Sequence, residues 1–217
     1  MRTVGRFGAL VLSIAAVGGW WLRSTEATGA VPIRPNVEVV GATSGQLEMA
    51  RWAVGRFEAA GLEPPAVEIE FHGAQSGCGG HLGFARRGAV DVCNTLVNAM
   101  ARRTLLHEMS HTWLDENVDD ATEARFLALR GLPSWNASSD PWRFRGYEQG
   151  AEIISWAIGE RILSAQIPYE EAQELDVAFQ LLTGIGVLAA EGGREYEFEA
   201  TSQVRLHGAA MFSGAGW

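Results

Sequence analysis

The run from Ala99 to Asn117 constrains the fold more than any other part of this chain. Met100, Leu105, Leu106, Met109, Trp113 and Leu114 recur at steps of three and four residues, the spacing of one face of an amphipathic α-helix. Within that helix the sequence reads Leu105-Leu-His-Glu-Met-Ser-His-Thr-Trp113. His107 and His111 are thus four residues apart and share a face, about one turn from each other. Both imidazoles can reach a single Zn²⁺ at roughly 2.0–2.1 Å. Glu108 projects beside them, where its carboxylate can take a proton from water acidified by the metal. The apolar residues around the motif suit a buried metal helix.

Two histidines leave a catalytic zinc one protein ligand short. The metzincin pattern supplies a third histidine six residues after the second, with a glycine three residues after it. Here those positions are Asn117 and Leu114, so that pattern is excluded. A better source is Gly146-Tyr-Glu-Gln-Gly-Ala-Glu-Ile-Ile-Ser-Trp156. Glu148 and Glu152 again stand at i and i+4 in a segment too apolar to be fully exposed. One carboxylate can bind zinc while the other hydrogen-bonds a ligand histidine from behind. The residues alone leave the order of the two open. Asp119 and Glu123, close after His111, are further candidates, although Asp119-Asp120 equally suits the start of a helix.

HEMSH followed by a helix bearing ExxxE resembles the gluzincin branch of the zincin metallopeptidases, over Leu105 to Trp156. The resemblance implies that Glu148 is the third ligand and that Glu152 orients a histidine. It also implies a zinc-dependent hydrolase of peptide bonds with Glu108 as general base, acting on a peptide or protein substrate. Such sites usually add a Tyr or His that stabilises the oxyanion; Tyr147, Tyr169, Tyr196, His81 and His207 are the candidates. Trp135 and Trp142, in the loop before Glu148, are candidates to line the cleft. The rival expectation is an exported zinc-binding or protein-binding module on a catalytically inactive zincin scaffold.

The rest of the chain reads as an α+β, zincin-like domain over residues 31–217, a small mixed sheet and the metal helix followed by a mainly helical half. Val31 to Pro35 is a lead-in without periodicity. Helices are expected over Ser44 to Ala60 with Ser44 as N-cap, Ala121 to Arg130, Tyr147 to Leu163 and Tyr169 to Thr183. Strands are expected over Ala66–Phe71, His81–Phe84 and Ala89–Cys93, with an edge strand at Glu195–Glu199. Apolar residues make up 47% of 217, enough for one filled core.

A basic start at Arg2 and Arg6 precedes the apolar run Phe7 to Leu22, which reads as a secretory signal peptide or an uncleaved N-terminal anchor over residues 1–30. The protein is therefore expected outside the cytoplasm, meeting a membrane only through that anchor. Cys78 and Cys93 suit a disulfide in such a compartment; their spacing matches no common zinc pattern. The net charge of -9 argues against nucleic acid as a partner. The basic pairs Arg86-Arg87 and Arg102-Arg103 read as solvated positions, and a monomer is expected.

Overall fold

The computed structural model describes residues 29–73, 75–94, 96–159, 164–169 and 171–186. Residues 1–28 of the leader expected over 1–30, the strand expected at Glu195–Glu199, and Tyr196 and His207 lie outside them. The lead-in expected near Val31 is instead a hairpin: strands β1 (Val31–Arg34) and β2 (Val37–Val40) pair antiparallel around Pro35-Asn36. Each strand is only four residues long, too short for alternation to stand out. Pro32 is tolerated because β1 lies at the edge of the sheet, where a missing backbone N–H costs little.

Helix α1 (Ser44–Ala59) follows, capped by Thr43 rather than Ser44. Thr43 and Gln46 exchange side-chain and backbone hydrogen bonds in a capping box, which fixes the start one residue earlier than expected. In β3 (Val67–Phe71), Val67, Ile69 and Phe71 are buried while Glu68 is exposed, so the alternation does what its period requires. The next strand, β4 (Gly83–Arg86), lies two residues later than expected, because the turn at Arg87-Gly88 sets its register with β5 (Ala89–Val92). Gly88 takes a positive φ of 73° there. The sheet order is β1-β2-β3-β5-β4, with β2, β3 and β5 parallel and both edges antiparallel.

Val37, Val39, Val67, Ile69, Val90 and Val92 project from one face of the sheet into a core shared with the helices. Helix α2 (Ala99–Asn117) crosses that face, touching β4 and β5 on one side and helix α4 (Gly146–Ile158) on the other. This sandwiching corrects the amphipathic expectation. From Thr104 to Leu114 every residue except His107 is buried, so the helix has no solvent face over that stretch. Helix α3 (Asp120–Arg130) is capped by Asp119 and ends at Gly131.

Helix α4 stops at Ile158, five residues before the expected end. The Arg56 side chain of α1 holds the carbonyl oxygens of Ile158 and Gly159, which closes the last turn. Helix α5 (Ala172–Thr183) starts three residues later than expected. The left-handed Tyr169, at φ 58°, cannot begin a helix. Cys78 and Cys93 form a disulfide. Among the described residues no helix is long and apolar enough to cross a membrane.

Candidate metal centre

The centre lies between α2 and α4. A Cβ at Gly150 would stand 3.0 Å from Leu114 Cδ1, so glycine there lets the two helices approach closely. That approach brings Glu148 to both histidines. Its Oε2 lies 3.1 Å from His111 Nε2 and 3.4 Å from His107 Nε2, and the two Nε2 atoms are 3.2 Å apart. Ligands placed at 2.0–2.1 Å around a tetrahedral zinc are about 3.3–3.4 Å from one another. The triangle therefore has the dimensions zinc requires.

Its protonation fits as well. His107 Nδ1 is 3.2 Å from Glu152 Oε2, off the straight line of a hydrogen bond but close enough for the carboxylate to favour the proton on Nδ1. Nε2 is then left with its lone pair. Burial lowers the His107 pKa, more than the Glu148 hydrogen bond raises it, so the neutral imidazole is preferred. Burial acts to raise the Glu148 pKa, but the two histidines against it outweigh that and hold the group below the usual carboxylate range. Acceptor atoms facing one another repel unless a cation sits among them. Two imidazoles and one carboxylate form a donor set suited to zinc.

Glu108 is not part of the triangle. It turns from α2 towards β4 and is buried. A Cβ at Gly83 would lie 2.8 Å from Glu108 Cγ and 2.9 Å from its Oε1, so only glycine fits beside it. Burial pushes its pKa up to about 7, opposed by His107 and by the Ala85 backbone N–H. On the free side of β4, Gly83 and Ala85 turn their backbone groups outward, since Cys93 N–H bonds Leu82 O on the paired side and antiparallel bonding alternates.

Glu152 is 3% exposed and fully engaged. Its Oε1 accepts from the Arg103 guanidinium and, at 2.8 Å, from the Gln166 backbone N–H, while Oε2 faces His107. Arg103 is thus not the solvated position expected from the Arg102-Arg103 pair. Its place one turn before His107 on the same helix face was the available signal. Arg102 instead stands over the Trp52 ring, and Arg86 pairs with Asp91.

Of the oxyanion candidates, Tyr147 lies nearest, but its hydroxyl donates to His111 O at 3.3 Å and its ring packs on His111 with centroids 4.3 Å apart. Burial, with Asp115 adding to it, raises its pKa above the usual tyrosine value, so it stays protonated. Tyr169 is exposed and tied by its carbonyl to Arg130; His81 is exposed at the turn after Cys78. Trp142 does line the centre, its ring centroid 5.9 Å from that of His107. Trp135 instead packs between Phe126 and Tyr147. Asp119 caps α3, and Glu123 belongs to an acidic neighbourhood with Asp115, Asp119 and Asp120; neither joins the triangle.

A second grouping, Glu70, His72 and Asp91, went unnoticed in the sequence because its members come from β3, the residue just after it, and β5. His72 Nε2 is 2.8 Å from Asp91 Oδ1, and Arg86 forks onto the same carboxylate at 3.1 and 3.3 Å. That guanidinium stands where a cation would have to sit, so the cluster is an ion network of the sheet. No family model, curated protein or solved structure matches this chain.

Proposed function

We propose that this protein is an exported zinc-dependent hydrolase, a metallopeptidase of the gluzincin kind, with His107, His111 and Glu148 as the zinc ligands. The observation that carries the reading is the triangle of His107 Nε2, His111 Nε2 and Glu148 Oε2, with sides of 3.1 to 3.4 Å. The Cys78–Cys93 disulfide is in keeping with an oxidising compartment. Zinc held at this triangle supplies a Lewis acid that acidifies water towards neutrality and polarises a carbonyl.

The remaining work falls to the chain. Glu108, next to His107 on α2 and turned towards β4, is placed to remove the proton of an attacking water. As the C–O bond forms and the C–N bond breaks, the same carboxyl returns that proton to the leaving amine. The open edge of β4 runs past Glu108, and its outward backbone groups suit an extended peptide added as a further strand. Trp142 offers a flat apolar surface on the other side of His107.

The test is zinc stoichiometry on the oxidised protein beside hydrolysis of a broad peptide library. One zinc per chain is expected, sharply weakened in His111→Ala and Glu148→Ala, with turnover lost and zinc kept in Glu108→Gln. A folded parent without zinc would sink the reading. Zinc at one equivalent with no hydrolysis would favour a zinc-holding binding module instead. One observation leans that way: the hydroxyl of Tyr147 is already engaged by His111 O.

A further inference from the structure

We infer that Arg103 is a positioning residue that holds Glu152 behind the ligand His107; the inference rests on the zinc reading above. Glu148 and Glu152 are one turn apart on α4, and both touch His107, Glu148 at Nε2 and Glu152 at Nδ1. Glu148 therefore belongs to the triangle, whereas Glu152 stands behind it, on the Nδ1 side of the His107 ring. What separates them is the partner set. Glu152 Oε1 is occupied by the Arg103 guanidinium and by the Gln166 N–H, leaving only Oε2 for His107. Among the described residues, the charged partners of Glu148 are the two Nε2 atoms of His107 and His111.

The charge balance argues the same way. Glu108, Glu148 and Glu152 place three carboxyl groups within one buried centre, and Glu152 is the least exposed of them at 3%. A buried carboxylate needs a cation or must take up a proton. Arg103, whose side chain is 16% exposed, supplies that cation from α2, one turn before His107. Without it, Glu152 loses the partner that fixes its carboxylate against His107, and the ring it orients is released. A guanidinium also fixes the carboxylate plane through its planar fork, which an ammonium cannot do.

The experiment measures zinc affinity by competition with a chromophoric chelator, and the visible spectrum of the Co²⁺-substituted protein. It compares parent, Arg103→Met, Arg103→Lys, Glu152→Gln and the Arg103→Met/Glu152→Gln double variant. Arg103→Met should weaken zinc by about 10–100-fold and change the Co²⁺ spectrum. Arg103→Lys should restore only part of the affinity. In the Glu152→Gln background, Arg103→Met should cost less than about threefold more, because its effect runs through Glu152. Affinity within about threefold of parent in Arg103→Met would overturn the assignment, as would an equal loss with and without Glu152. Should Arg103→Met fail to fold, Arg103→Lys is judged by the same threshold. A parent that takes up no zinc would overturn the metal reading itself, leaving a different signature from either result.

Discussion

Glu108 is the residue whose ionisation the fold opposes most openly. Burial between α2 and β4 raises its pKa from 4.5 to about 7, so in the metal-free protein the folded state binds a proton there that the unfolded chain releases. The resulting penalty is absent below pH about 4.5, grows through the interval and is complete above about 7, reaching on the order of 3 kcal/mol. Glu108→Gln, which resembles the protonated acid, should therefore melt higher than the parent at pH 8 in the presence of a chelator. The two should converge as the pH approaches 4.5. Thermal melts across that range check it, and equal melting temperatures at pH 8 would show that Glu108 is not destabilised by its site.

Among the elements, β4 bears on the proposed base through a residue with no side chain. A methyl group on Gly83 would push into Glu108 and Thr104, and a displacement of about 1 Å at a catalytic group can cost on the order of 10²-fold in rate. Gly83→Ala should thus lose most peptide hydrolysis while keeping zinc, since none of the three ligands touches that glycine; rate and metal content measured on one sample separate the two effects. How much of this was legible in the sequence differs by element. The helix spacing of His107, Glu108 and His111, and of Glu148 and Glu152, is local, and the chain places all five as their periods require. Strands β1 and β2 escaped notice because four-residue segments with a proline hold too little pattern. The end of α4 and the role of Arg103 depend on partners in other elements: Arg56 for one, Glu152 for the other. Such contacts between separated stretches leave no periodic trace. Which acid meets which nitrogen was likewise open from the residues alone: the structure puts Glu148 at the two Nε2 atoms and Glu152 at His107 Nδ1.

At the scale of the whole molecule, the half that precedes α2 is stapled and the half that follows it is not. Cys78 and Cys93 close a loop of 15 residues in sequence separation, worth about 3 kcal/mol in the chain-entropy account. Replacing both by alanine should lower the unfolding free energy by about 2–4 kcal/mol, read from denaturant midpoints at constant m-value. A change below about 0.5 kcal/mol would show that the loop is ordered without the bond.

The contact of Glu148 with His111 joins positions 37 residues apart, across the loop from Gly131 to Arg145 that no covalent bond spans. A cation gripping both would act as a clasp on that loop, as the disulfide does on the earlier one. Sequestering zinc would then do more than silence the site. It would loosen α4 from α2, open the Trp135–Trp142 segment to cleavage, and make the protein's resistance to proteolysis a matter of metal supply.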